Sequence, residues 1–433
     1  MKSIFWHRRD LRIEDNAGLY KALKKSESVI PIFIFDVNIL ADLPNDDQRV
    51  LYIYKKIEKL KTEYINLGSD LKVFFGNPHD VILDFVKKEN IQCVFTNRDY
   101  EPYALNRDQS LFNSLESMGV DFSGAKDHVV FEKNEVLKAD QKPYTIFTPY
   151  SKKWKEKVNE FYLSSYPTLN YTRNLIKIDT LETLIPIQDL GFDSQVKAPF
   201  PNEEVLIDVI NKYEETRDIP SVNGTSRLSL ALRFGVISIR KLARMAINTN
   251  EKFLNELIWR DFYQTILYHF PNSVTKAFKP KYDKVEWIND EDLFKKWCEG
   301  KTGYPIVDAG MRELNETGFM HNRVRMITAS FLVKHLLIDW RWGEAYFAEK
   351  LLDFELASNV GGWQWAASSG CDAAPYFRVF NPTLQQQKFD KEFKYIKKWV
   401  PEYGTKDYPS PIIEHTYARD RVLATYKKAL NNE

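Results

Sequence analysis

Cysteine is scarce in this chain. Cys93, Cys298 and Cys371 are the only three among 433 residues, widely separated and without CxxC spacing. That excludes a disulfide framework, argues against a thiolate zinc site, and predicts a reducing cytoplasm. No run of about 18 apolar residues occurs that could span a bilayer. The opening residues MKSIFWHRRDLRIEDN lack the apolar centre of an export signal, so neither secretion nor a membrane site is expected. Charge of one sign is also missing. Lys and Arg number 61 against 60 Asp and Glu, so a generally basic surface cannot carry nucleic-acid binding, and any such site must be a local patch. The glycine fingerprint GxGxxG does not follow the first apolar run, which removes the usual dinucleotide signature. Internal repeats and low-complexity tracts are absent as well.

What is plentiful is aromatic carbon, at 14% of residues. Apart from Trp6 and Trp154, every tryptophan lies between 259 and 399. Large helical domains do pack around aromatics, but this density asks for a second cause. The uncharged stretch NVGGWQWAAS, Asn359 to Ser368, poses the question most sharply, with two indoles one residue apart. On a helix, positions i and i+2 point about 200° apart, so Trp363 and Trp365 would serve different neighbours.

At this length two or three domains are expected. Residues 1–130 alternate apolar β-rich runs (SIFWH, VIPIFIFD, LKVFFG, IQCVFTN) with amphipathic segments. That pattern predicts a βαβ series, an α/β domain with a Rossmann-like parallel sheet. Over 131–200 periodicity weakens and prolines recur, which reads as a linker wrapping between domains. From 201 to 433 the pattern is helical, with starts such as PNEEVLIDVI and TSRLSLALRFG and glycine stops. The expected architecture is an α/β domain, a connector and an all-α domain.

Three constellations carry chemistry. In NELIWRDFYQTIL, taken as a helix, Glu256, Trp259, Arg260 and Tyr263 share one face. Alone this reads as a surface ion pair; with company it reads as a pocket wall that stacks on a planar ligand and exchanges hydrogen bonds with it. In GFMHNRVRMITASFLVKHLLIDWRW, Val324, Ile327, Phe331 and Leu332 form the apolar stripe, while Asn322, Arg325 and Met326 fall on a different face, where a methionine can be core filler or a soft wall against a base. In NGTSRLSLALRFG, Gly224 precedes Thr225 and Ser226 with an apolar helix opening at once, a weak phosphate motif of backbone amides and hydroxyls.

The stretches TGYPIVDAGMRELNETGFMHNRVRMITASFLVKHLLIDWRWGEAYF, NVGGWQWAASSGCDAAPYFRVFNP and WHRRDLRIEDN together resemble the photolyase/cryptochrome family over nearly the whole chain. The resemblance implies an N-terminal antenna domain and a helical domain holding FAD in a U-shape, with light-driven repair of pyrimidine dimers in ultraviolet-damaged DNA. By position, Tyr213 and Thr225, Ser226, Arg227, Leu228 and Ser229 match FAD phosphate and ribose contacts, and Phe253, Arg260 and Glu355 match further FAD-binding positions. Arg325 and Asp353 match an ion pair beside the isoalloxazine ring, and Asn359 matches the residue facing flavin N5. Trp363, Trp340 and Trp287 match a chain of electron donors running outward. The second indole, Trp365, matches a wall of the substrate cavity.

The cavity positions Glu256, Trp259, Asn322, Met326 and Trp365 resemble the set of class I cyclobutane pyrimidine dimer photolyases. Six-four photolyases carry two histidines where this chain has Asn322 and Met326. Arg217, Arg323, Arg378 and Gln385, with Trp259 and Asn322, match positions that meet DNA. The alternative from another class is a cryptochrome-type blue-light receptor without repair. A second, antenna chromophore is implied but unassigned. Where folate-binding members present an Asn-Glu pair, this chain has Tyr103 and Ala104, leaving folate, a deazaflavin, a second flavin or none. No metal and no obligate partner is expected, and the chain is read as a monomer.

Overall fold

Five short strands pair into one parallel sheet in a computed structural model that describes residues 1–177 and 180–431. They are β1 (Lys2–His7), β2 (Ser28–Asp36), β3 (Lys72–Gly76), β4 (Cys93–Asn97) and β5 (Asp121–Ala125), in the order β3-β2-β1-β4-β5. The register sets Ile4 against Ile30 and Val94, and Phe95 against Ser123. Both faces of the sheet are covered, which is why the central strands read as continuous apolar runs rather than alternating ones. Phe5, Phe33, Phe35 and Phe95 enter one core. Ile4, Trp6, Ile30, Ile32 and Val94 enter the other.

All but one of the helices named between the strands begin where a side chain satisfies an orphan amide of the first turn. Asn16 accepts from the Leu19 amide at the start of α1 (Ala17–Lys25), and Asp47 from that of Arg49 at the start of α2 (Gln48–Asn66). Asn77 does the same for α3 (Pro78–Glu89), whose first residue is proline and whose end is closed by Asn90 in the left-handed region. A fourth helix, α4 (Pro102–Ser117), precedes β5. The strand β5 was not anticipated: DFSGA is an edge strand, little buried, and offers neither alternation nor an apolar run.

Contacts divide the chain into two units. The first comprises Met1–Glu135, Trp154–Glu203 and Leu228–Asn248; the second comprises Val136–Lys153, Glu204–Arg227 and Thr249–Glu433. The segment read from sequence as a linker over 131–200, of which 178 and 179 lie outside the described residues, is therefore shared between the two units and contains the helix Phe147–Lys157. Weak periodicity hid it because it exposes several lysines and threads Pro149 through its first turn.

In the second unit, α5 (Glu251–His269) starts at Asn250, whose side chain accepts from the Phe253 amide at 3.1 Å. The single helix expected over GFMHNRVRMITASFLVKHLLIDWRW is broken. α6 (Asn322–Ser330) runs into one π-helical turn, Phe331–Leu336, which Leu337 ends in the left-handed region; α7 (Trp340–Lys350) then restarts. A final helix for the site, α8 (Leu356–Ala366), carries both indoles of the opening stretch. Trp297, Trp340, Trp363, Phe347 and Leu332 sit in one large apolar core. Gly343 allows that packing, because a Cβ there would lie 2.1 Å from the Trp363 ring. Among the described residues no helix is long and apolar enough to cross a membrane.

Candidate active site

On α5 the four predicted residues do share a face and are engaged differently. Glu256 pairs with Arg217. Burial pushes its carboxyl above the usual range, while the Arg217 guanidinium pulls the other way. Arg260 reaches Glu355 at 3.0 Å, both largely buried, and Tyr213 meets Phe253 ring to ring at 5.4 Å. Trp259 lies face to face with Phe147, with centroids 3.7 Å apart and planes within 2°. Phe262 and Tyr263 border it at 5.6 and 5.4 Å. Phe147 is held in turn by its amide, which donates to Asp372 Oδ2 at 3.0 Å.

The two indoles of α8 part company as helical spacing requires. Trp363 is buried against Phe347 and Trp297. Trp365 is half-buried, meets Phe380, and lines a cavity with Tyr263, Gly361, Cys371 and Asp372. Gly361 explains half of the Gly-Gly pair: a Cβ there would meet the Tyr263 ring at 2.3 Å, so the glycine lets α8 approach α5. Gly362 has no neighbour within 4 Å of its missing Cβ, and no packing reason for it emerges. Trp340 is as buried as Trp363, whereas Trp287 is half-buried beside Tyr426 at 6.1 Å.

Arg325 and Asp353 form a two-contact pair at 3.0 and 3.1 Å, and Arg325 Nε also donates to the Met320 carbonyl. The Asn359 amide is oriented by Glu344, with Nδ2 donating to Glu344 Oε1 at 2.9 Å and to its carbonyl at 3.1 Å. Burial raises the Glu344 carboxyl. Sequence reasoning missed both Glu344 and Phe147. Neither stands at helical spacing from the residue it serves, so no local pattern could have found them.

The phosphate motif is not a helix N-terminus. The helix opens at Ser229, not Thr225, and runs only to Arg233. Arg227, at φ +51°, takes the backbone out of helical geometry before it. What remains is a hydroxyl-bearing loop, with Gly224 closely packed on Thr216. The unit boundary falls within it, Thr225 to Arg227 grouping with the second unit and Leu228 and Ser229 with the first.

Of the residues expected to meet DNA, Asn322 and Arg378 are exposed and Gln385 is half-buried, as is the cavity residue Met326. Arg323 binds Asp218 at 2.7 Å and lies over the Phe389 ring. Together with the Arg217–Glu256 pair, this engages two of the three proposed phosphate arginines internally. In the first unit, Tyr103 donates to Asp36 Oδ2 at 2.8 Å and Ala104 is buried. No cluster that could hold a metal occurs among the described residues.

The donor set fits FAD. Hydroxyls of Tyr213, Thr225 and Ser226 suit phosphate and ribose, and the oriented Asn359 amide and the Arg325–Asp353 pair suit the polar edge of an isoalloxazine ring.

Known proteins agree with this chemistry. The family model described as DNA photolyase matches residues 3–169, and that described as the FAD binding domain of DNA photolyase matches residues 253–405. The deoxyribodipyrimidine photo-lyase of Synechococcus sp. is 36% identical over 98% of this chain and 96% of its own length. A class III photolyase from Agrobacterium tumefaciens superposes with a TM-score of 0.88 at 32% identity, covering 99% of this chain and 97% of that one. An archaeal photolyase from Sulfolobus tokodaii, solved with two FAD molecules, gives 0.84 at 35% identity, covering 99% and 100%.

Proposed function

This chain belongs to the DNA photolyase family, and from that premise we propose that it is a light-driven DNA repair enzyme, a deoxyribodipyrimidine photo-lyase of class I that splits cyclobutane pyrimidine dimers in ultraviolet-damaged DNA. The observation that carries this reading is the junction of α5 and α8. Trp259, Tyr263 and Trp365 supply aromatic faces there, the Arg260–Glu355 pair and Glu256 supply polar groups along α5, and the Asn359 amide stands on the side of α8 that meets α7.

When bound, reduced FAD supplies a light-excited one-electron donor. The protein binds and orients. Turning a dimer out of the duplex costs a few kcal/mol, less where the lesion already weakens stacking. Stacking on Trp259 and Trp365 returns about 1–3 kcal/mol per base. Asn322 donates to a carbonyl and stabilises negative charge on the dimer as its bonds break, Glu256, neutralised by Arg217, accepts from the imide N–H, and Met326 fills the adjoining wall. Glu344 holds Nδ2 of Asn359, so the amide oxygen would be free to accept from FAD. Asp353 keeps Arg325 in place beside it. Trp363 and Trp340, both buried, and the half-buried Trp287 would carry electrons inward to FAD. Arg378 and Gln385 receive the phosphate backbone, and Arg217 and Arg323 add their charge while held by Glu256 and Asp218.

The 1–130 region serves as antenna domain. The second FAD of the Sulfolobus protein supports a second flavin there. Three free cysteines support a reducing cytoplasm, where the enzyme works as a monomer. The experiment is repair of a dimer-containing oligonucleotide by the FAD-loaded protein under blue light and in the dark. Light-dependent restoration of thymines supports the reading; bound FAD without repair makes the protein a light sensor instead.

A further inference from the structure

His321 is the polar group that the site as described does not use. It caps α6, its Nδ1 accepting from the Arg323 amide at 3.1 Å, while its own amide donates to Glu313 Oε2 at 3.3 Å. An imidazole nitrogen that accepts carries no proton, so the hydrogen sits on Nε2. Burial, helped by the guanidiniums of Arg323, Arg325 and Arg227 and opposed by Asp218, holds its pKa down at about 4, which keeps that tautomer through the physiological range. Nε2 is buried, in a residue only 4% exposed, and has no partner among the described residues. Oε2 of the nearby Glu313 already accepts from the Tyr395 hydroxyl at 2.6 Å and from the His321 amide.

A buried donor without an acceptor costs about 1–3 kcal/mol. An acceptor from outside the chain would remove that cost, and the surroundings of Nε2 describe what it must be. Arg227 and Arg325 both lie over the Phe319 ring, at 4.7 and 5.7 Å, and among the described residues no carboxylate pairs with Arg227. Arg325 is paired with Asp353 and Arg323 with Asp218, so the positive charge left over is that of Arg227, and the setting suits an oxygen-bearing group. Incoming DNA meets the neighbouring Asn322, which is exposed, rather than a buried ring. His321 falls inside the segment matched to the FAD binding domain.

We infer that His321 is a cofactor-binding residue whose Nε2–H donates to an oxygen of FAD while its Nδ1 caps α6. This rests on the reading that FAD occupies the helical unit. The test separates the two nitrogens. His321→Asn keeps an oxygen to cap the helix and removes the distant donor; His321→Gln reaches the donor position; His321→Ala removes both. Purified holoenzyme is diluted and release of FAD is followed by the return of flavin fluorescence, with far-ultraviolet circular dichroism reporting helix content. The expected result is FAD release about tenfold faster in His321→Asn with helix content unchanged, the size of one hydrogen bond to a charged or polar oxygen, and substantial recovery in His321→Gln. Release from His321→Asn at the wild-type rate overturns the inference, as does a His321→Gln variant no better than His321→Ala. Wild-type protein that holds no FAD would instead defeat the reading beneath it.

Discussion

Replacing Phe147 by alanine removes the ring that lies against Trp259 and leaves the backbone anchor on Asp372 intact. The stack is a near-perfect sandwich, 3.7 Å and 2°, a geometry that aromatic quadrupoles do not favour by themselves. It persists because the Phe147 amide is tied to Asp372 and Phe262 packs against both rings. Two consequences differ in size. Stability falls by about 2 kcal/mol, less than the 3–5 of a fully buried Phe→Ala change because the ring is half-buried. Dimer affinity falls because Trp259, no longer backed, must be ordered when a base stacks on it. Ordering one such side chain costs about 1 kcal/mol, which is about fivefold in Kd. The assay is dark binding of a dimer-containing oligonucleotide and its undamaged counterpart to the FAD-loaded variants Phe147→Ala and Phe147→Leu. Loss confined to the damaged strand, partly recovered by leucine, is expected. Affinity within twofold of wild type despite a lowered Tm would show that Phe147 only packs.

Three further outcomes follow from the same geometry. Lys334 is buried on the π turn, its Nζ 2.9 Å from Ser368 Oγ and over the Tyr426 ring, and burial brings its pKa down to about 7. Its folded-state pKa lies below the unfolded one, so the unfolded chain binds more protons and stability rises with pH above about 7. Denaturant unfolding between pH 7 and 9 should show a gain of about 2 kcal/mol that Lys334→Met abolishes; an equal gain in the variant refutes it. Trp287→Phe should block light-driven reduction of oxidised FAD, read by absorption, yet spare repair by enzyme reduced beforehand, and loss of both would contradict separate roles. Arg378→Ala should lower the salt slope of DNA binding by about 1, whereas Arg323→Ala should lower it less, because Arg323 is already paired with Asp218; equal slopes for the two variants would be the contrary result.

The sequence by itself determined the elements whose side chains face a core on a regular period. β1 to β4 are legible because two buried faces make an unbroken apolar run. α5 is legible because Glu256, Trp259, Arg260 and Tyr263 recur at helical spacing, and the divergence of Trp363 from Trp365 follows from the same geometry. Tertiary structure alone decided what depends on partners distant in the chain. The edge strand β5 takes its form from pairing with β4, the π turn at Phe331 interrupts a pattern that reads as one helix, and residues 136–153 join the helical unit although their composition reads as linker. So too with the site: Phe147 reaches Trp259 across 112 positions of chain, Glu344 orients Asn359, and Asp218 and Glu256 engage arginines that sequence offers as free charges. Periodicity records which face of an element is buried. It holds no information about which other element supplies the atom on the far side of a hydrogen bond, a stacked ring or an ion pair.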